Sequence, residues 1–516
     1  MTLGTTRFAL VGVLVLASHV SAAVVLPRVL SSHMVLQRNA AVPIWRTASP
    51  GEAVTVTFRN QHKATTADAG GKWMVKLDSM QTPEASSLVV KGSNTVTFTD
   101  VLVGEVWVGS GQSNLDTHVP DYVQNDALLA KAASQSYLKL RIYHSEIGSG
   151  WQQTTPEALR QFSAQLFYFG MVLQKELDCP VGVMEGAVRG SPAANWIPDE
   201  VVKSDAEIQA AIADWEKYHP RAANLKQHED WAKAIAALPP GTPADKRPQE
   251  PWLAPLAGST NGPRGDFYAK HIRPMQPLAI RGVLWDQGAG GTNIQGVDQD
   301  VAMRALIKCW RKDWGQGNFP FIFVQKPSGG GCAFDPANTL NKGADAWIAL
   351  PPNAPQSYWD GAGRWQQVRL MEFTNTYMTI STDLATGVHP PNKAGYATRD
   401  AQVALGAVYG QKVEYYGPLY KSVKVEGNKL RLTFTHVGEG LVVPQGQKLQ
   451  GFTIAGEDKR FYWADAVIDG NTVVLSSLSV PKPVAARYAW AWDIRWANLF
   501  NKAGLPAIMF RTDAWW

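Results

Sequence analysis

The strand-forming run Val103 to Val108 passes without a break into Gly109-Ser110-Gly111-Gln112-Ser113-Asn114, and few folds accommodate that join. A valine- and tryptophan-rich run reads as a buried strand, and the glycines force a tight turn at its end. Helical periodicity follows in Ala164 to Leu177, with apolar residues at Leu166, Phe167, Phe169, Val172, Leu173 and Leu177. Strands are then expected at Val181 to Met184, Ala279 to Trp285, Phe319 to Val324 and Met378 to Ser381, with a helix from about Asp300 to Trp310. Strands alternating with helices predict an α/β domain with a mainly parallel sheet, whose ligands bind outside the carboxyl ends of the strands.

Both flanks read differently. From about Val24 to Asp100, short strands punctuated by Gly51, Gly70, Gly71 and Gly92 predict a small β-sandwich. The α/β domain is expected over 101–412, with a polar insertion at about 198–265 that carries helices near Asp205 to Tyr218 and Leu225 to Ala237 and forms one wall of the site. Strands return from Val413 and predict a C-terminal β-rich domain over 413–516. Residues 1–23 carry Arg7, the apolar run Phe8 to Leu16, and small residues at Ala17, Ser18, Ser21, Ala22 and Ala23, the pattern of a cleaved signal peptide. Export, to the exterior or an extracytoplasmic compartment, is the expectation; the apolar run is too short to span a bilayer comfortably, and no membrane span is expected after cleavage.

A net charge of +5 spread over 516 residues, without a basic run, argues against a nucleic-acid partner. The three cysteines, Cys179, Cys309 and Cys332, have no metal-ligand spacing. Export permits a bridge between Cys309 and Cys332, and burial of all three as small apolar residues is the alternative. Twenty tryptophans suit either sugar stacking or core filling.

Ser113 meets the structural demands on a serine nucleophile: a hydroxyl held at a sheet edge, with backbone N–H groups free to face an oxyanion. Its other reading is a plain strand-to-helix turn. A serine hydroxyl also needs a base, and His389, in His389-Pro390-Pro391-Asn392-Lys393 after the strand Met378 to Ser381, is the candidate. A histidine before Pro390 also suits a loop cap.

The segment Gly104-Glu105-Val106-Trp107 leading into Gly111-Gln112-Ser113-Asn114 resembles the nucleophile block of the sialate O-acetylesterase family, within the SGNH hydrolases. The resemblance continues in order through Phe162 to Gly170, Leu177 to Gly182, Gly190-Ser191-Pro192-Ala193 with Trp196, and Arg281-Gly282-Val283-Leu284-Trp285 with Gln287-Gly288. Trp310-Arg311, Phe319-Pro320-Phe321, Val324-Gln325, His389-Pro390 and Asn392-Lys393 complete it. It implies a flavodoxin-like three-layer α/β/α domain with accessory β-sandwich domains, and a secreted serine esterase that removes acetyl groups from sialic acid or another sugar through an acetyl-enzyme. Ser113 would be the nucleophile and His389 the base, with oxyanion donors at the backbone of Ser113 and Gly190 and the side chain of Gln287. Gln287 also suits a tie between loops. No metal or cofactor is implied, and the partner is an acetylated glycan.

Three positions depart from the family. Thr386-Gly387-Val388 precede His389 where the family is usually acidic, so the orienting carboxylate would come from Asp383, Asp286 or Asp298, or a Ser-His dyad would work without one. Gln287-Gly288-Ala289-Gly290-Gly291 lacks the family's glutamate, and Arg189 stands where the family usually has glycine. Arg189 and Asn114 are candidate substrate contacts, Arg189 toward a sugar carboxylate. A homologue that has lost hydrolysis and binds acylated glycans is the alternative.

Overall fold

The computed structural model describes residues 23–515 apart from positions 149, 288–290, 326–329, 342, 385–386 and 445. The expected leader, apart from Ala23 at its end, therefore lies outside the described residues, as do Gly288, Ala289, Gly290 and Thr386. Among the described residues no helix is long and apolar enough to cross a membrane.

The join between strand and turn organises the molecule. Strand β1 (Thr95–Gly111) alternates between half-buried and exposed residues in its first half and is buried throughout from Val101. That first half pairs antiparallel with Ser86–Lys91, which pairs in turn with Ala53–Phe58. Strands Val42–Thr47 and Lys72–Leu77 pair separately. The expected boundary at 100/101 thus falls inside one strand that the N-terminal β module and the α/β domain share.

In its buried half, β1 lies at the centre of a sheet with β2 (Tyr137–His144), β3 (Trp151–Thr154), β4 (Val181–Glu185), β5 (Gly282–Asp286), β6 (Phe321–Val324) and β7 (Thr376–Thr379). The order is β7-β6-β5-β1-β4-β2-β3. Every neighbouring pair is parallel except the β2–β3 hairpin. A flavodoxin-like sheet runs 2-1-3-4-5. Here β4-β1-β5-β6-β7 follows that order, and β2 and β3 are added beyond β4 at the edge of the sheet. The chain runs from β1 out to β2 and β3, returns to β4 beside β1 and then crosses to β5 on the other side, which makes the end of β1 the topological switch point where ligands bind.

Helices pack on this sheet through the expected apolar stripes. Helix α1 (Ser113–Asp116) directly follows β1. Ser163 caps α2 (Ala164–Leu177) by accepting the Leu166 N–H at 3.2 Å, and Leu166, Phe167, Phe169 and Leu173 are buried on its inner face. Helix α3 (Gln299–Trp314) ends at Gly315 in the left-handed conformation, φ 66°. Two further helices, α4 (Ala362–Leu370) and α5 (Lys393–Val403), flank β7 in sequence. Glu105, buried within β1, is matched by Arg38 and by Arg281, whose Nε donates at 2.8 Å.

The insertion forms helices Asp199–Ser204, Ala206–Tyr218 and Arg221–Ala236. Glu207 pairs with Arg304 and Lys308 of α3, and the Gly258 N–H donates to Gln295 at 2.8 Å. It packs on α3 and the loop before it; among the described residues none of its side chains bonds Ser113 or His389, so the expected wall is not seen as a contact. Beyond 413, strands Leu419–Glu426, Lys429–Thr435, Asp465–Asp469 and Thr472–Ser476 form one sheet, and Phe452–Ala455, Phe461–Trp463, Ala485–Tyr488 and Phe510–Arg511 another, around a separate core. Cys179, Cys309 and Cys332 are free and buried, so the bridge weighed for Cys309 and Cys332 is absent. Trp107, Trp196, Trp285, Trp310 and Trp490 fill cores, whereas Trp252, Trp359 and Trp492 are exposed.

Candidate active site

Gly111 is where backbone approach is tightest. Its φ is +125°, and a β-carbon there would collide with the Asp286 carbonyl at the end of β5. The Gln112 N–H donates to that same carbonyl at 2.8 Å. Closed in this way, the turn leaves Ser113 at the start of α1, 7% exposed, with the Ser113 carbonyl accepting the Thr117 hydroxyl. First-turn N–H groups have no partner inside a helix.

His389 comes from the loop after β7 and lies exposed above this turn. Its Nε2 is 2.8 Å from Ser113 Oγ. With Nε2 unprotonated, the serine hydroxyl donates to it, the arrangement a general base requires. Desolvation first, then the positive charges of Lys393 and Arg189, hold the His389 pKa below its ordinary value. The imidazole is therefore neutral at neutral pH and able to take a proton. Asn392 fixes the far side of the loop: its Oδ1 accepts the Gly395 N–H at 2.9 Å and its Nδ2 donates to the Leu340 carbonyl at 2.6 Å.

None of the three carboxylates weighed as an orienting acid bonds His389. Asp383 is buried and held by Arg399 at 3.1 and 3.0 Å and by Asn341 at 3.0 Å. Asp286 is buried beside Asn114, and desolvation raises its pKa. Asp298, before α3, faces Arg369 at 3.4 Å. Among the described residues nothing accepts from His389 Nδ1, so Ser113 and His389 stand as a dyad.

The expected oxyanion donors separate. The N–H groups of Ser113 and Gly190 have no acceptor among the described residues, and Gly190 is exposed at φ +71°. Gln287 is instead a tie between loops: its Nε2 donates to the Gly291 carbonyl at 2.8 Å and its Oε1 accepts from Gln299 Nε2 at 2.6 Å. The candidate substrate contacts are also committed elsewhere. Arg189 donates its backbone N–H to Asp116 Oδ2 at 2.7 Å and its Nη2 to the Asp116 carbonyl at 3.1 Å, with ion pairs to Asp116 and Asp121. That tether braces the Gly190 loop against α1 through the Nε and Nη2 side of the guanidinium. Asn114 is buried, with Oδ1 accepting from Lys393 Nζ at 2.7 Å and Nδ2 3.4 Å from Asp286 Oδ1.

No protein-family model matches the chain. Among characterised proteins, it is 26% identical to the sialate O-acetylesterase of Pongo abelii and 25% to that of Homo sapiens, each alignment covering 94% of this chain and 92% of the relative. A carbohydrate acetylesterase from Xanthomonas citri superposes with a TM-score of 0.72 at 28% identity, over 95% of this chain and 100% of that one. The chain is thus similar to sialate O-acetylesterases over nearly its whole length.

A buried polar network beneath the Ser113–His389 pair carries residues to which sequence reasoning gave no role. Lys393 stood in the Asn392-Lys393 pair, but nothing in the pattern showed that its ammonium is buried under the nucleophile. Gln165 of α2 donates to Asp400 of α5 at 2.9 Å, and Asp126 accepts the Ala394 N–H at 2.7 Å. Ser191, beside Gly190, donates to the Gly111 carbonyl at 3.1 Å and accepts from Trp196 Nε1 at 2.9 Å. The signal available for each was a polar residue inside an apolar pattern.

One cluster has metal-like composition. His118, His144 and Glu185 each offer an atom within 4.8 Å of the others. The backbone N–H groups of Glu146 and Ile147 both donate to His144 Nδ1, at 3.0 and 3.1 Å, so the neutral ring carries its proton on Nε2, the nitrogen that faces Glu185 at 3.8 Å. A protonated Nε2 has no lone pair for a metal. Desolvation raises the Glu185 pKa and lowers that of His144 to about 4, so the imidazole is neutral.

Proposed function

We propose that the protein is a secreted SGNH-type carbohydrate O-acetylesterase that works through an acetyl-enzyme on Ser113. The family and the Xanthomonas citri neighbour support the reaction class, and the 2.8 Å Ser113–His389 hydrogen bond is the observation that carries the mechanism. Ser113 Oγ attacks the acetyl carbonyl carbon while His389 Nε2 takes its proton. The N–H groups of Ser113 and Gly190 would receive the developing oxyanion. A donor of this kind is worth roughly 3 to 4 kcal/mol in the transition state. As the intermediate collapses, the sugar hydroxyl leaves with the proton from His389. Water, deprotonated by the same imidazole, then releases acetate and restores the serine.

Without a carboxylate on Nδ1, the dyad forgoes a contribution that reaches roughly 10⁴-fold in serine proteases and retains what the oxyanion donors and binding supply. A binding-only homologue would need neither an aligned base nor free N–H groups at the turn, so the geometry favours hydrolysis. The test is turnover of a chromogenic phenyl acetate and then of acetylated glycans by wild type, Ser113→Ala and His389→Ala. Loss of turnover in both variants is expected. Undiminished turnover in Ser113→Ala would overturn the mechanism. Export is tested by the N-terminal sequence of the mature protein, expected to begin near Ala23.

A further inference from the structure

Lys393 is wholly buried, yet among the described residues it makes no ion pair within 4.0 Å; its recorded hydrogen bond runs from Nζ to the neutral amide oxygen of Asn114, at 2.7 Å. Burying an ammonium this way is expensive, and an apolar side chain of similar length would pack at less cost. The groups that face it are Asp286 from β5, Asp400 from α5, Asp126 before the helix Ala127–Ala133, and the rings of Tyr122 and Tyr396 at 4.7 and 5.7 Å. Asp286 Oδ2 and Asp400 Oδ1 are buried without a hydrogen-bond partner, so the ammonium compensates them across space and not by contact.

The placement of this bond matters. Lys393 is the first residue of α5 and follows His389 by only Pro390, Pro391 and Asn392, while Asn114 is bonded directly to Ser113 in the chain. One hydrogen bond thus spans from the histidine's loop to the nucleophile's turn. We propose that Lys393 is a positioning residue that does the orienting carboxylate's work from the other side, locking His389 and Ser113 in register through Asn114. This rests on the Ser113–His389 reading and extends it to the parts that align the pair.

The experiment measures kcat and KM on a chromogenic acetyl ester, across the pH range in which imidazole titrates, for wild type, Lys393→Met, Asn114→Ala and the double variant. Each single substitution is expected to lower kcat about 10- to 100-fold, the scale of a misplaced catalytic group, with KM nearly unchanged. The double variant should lose no more than the worse single, because both remove one connection. Lys393 and Arg189 are the charges that depress His389 beyond desolvation, so Lys393→Met should also move the acid limb to higher pH, while Asn114→Ala leaves it in place. A purely structural role would not lower kcat while leaving KM unchanged. Unchanged kcat in either single variant, or losses that multiply in the double, overturns the proposal. If Lys393→Met does not fold, Asn114→Ala decides alone, and retained kcat sinks the idea. A wild type without Ser113-dependent turnover overturns the parent reading and this one with it; an active wild type with unaffected variants overturns this one alone.

Discussion

Arg399 grips Asp383 with two hydrogen bonds, 3.1 and 3.0 Å, both side chains buried, and so removes from the catalytic centre the carboxylate that lies nearest before His389 in sequence. Asp383 is then part of the framework. Asp383→Asn leaves a buried guanidinium without its counter-charge, which typically costs about 3–5 kcal/mol. Chemical denaturation should show that loss, while kcat of the protein that remains folded stays near wild type. A large fall in kcat at unchanged stability would place Asp383 on His389 instead.

With His389 as the proposed base, the acid limb of activity follows its titration. Desolvation, Lys393 and Arg189 all lower its pKa from 6.5, and the base must be neutral, so kcat/KM should hold level through neutral pH and fall only as pH drops below 6.5. The sign for stability is the same: the unfolded chain takes up the proton first, so this group begins to destabilise the fold as pH falls through 6.5. A pH–rate profile with its limb above that value contradicts the assignment of charges around the ring.

Gln287 separates two roles by two measurements. As the tie between Gly291 and Gln299, its replacement in Gln287→Ala should lower stability by about 1–3 kcal/mol, the usual cost of leaving buried polar partners unpaired. As an oxyanion donor, it would instead cost roughly 10²–10³ in kcat with no change in melting temperature. The structure leads us to expect the first.

Glu185 tests the neutral reading of the histidine cluster. Desolvation raises the pKa of its buried carboxyl, so the protonated form contributes stability at low pH that is lost as pH rises above 4.5. Glu185→Gln, which keeps an acceptor for the Ser163 N–H, should therefore be neutral or stabilising at neutral pH, and zinc should not raise the melting temperature of wild type. A zinc-dependent rise lost in Glu185→Gln would contradict the tautomer argument.

How far the sequence could be read follows from what each signal measures. The run into Gly111 and the stripe of α2 were legible because local periodicity reports which face is buried, and Ser113 was legible because a glycine turn after a buried strand has few uses. That His389 meets a serine 276 positions earlier came through family resemblance, since periodicity says nothing of distant pairing. The placement of β4 between β1 and β2 was illegible for the same reason. Arg189, Asn114 and Gln287 were read as facing substrate because their partners, Asp116, Lys393 and the Gly291–Gln299 pair, lie on other loops and become visible only once those loops are packed together.

The central claim is a covalent acetyl group on Ser113. Wild-type protein turning over an acetyl ester should be quenched with acid and the peptide spanning Gly111 to Asn114 weighed by mass spectrometry, beside His389→Ala and Ser113→Ala. The account expects the mass of one acetyl group on that peptide in wild type, localised to Ser113 and absent from Ser113→Ala. An unmodified peptide from an enzyme whose Ser113→Ala variant hydrolyses the ester at the wild-type rate would contradict it.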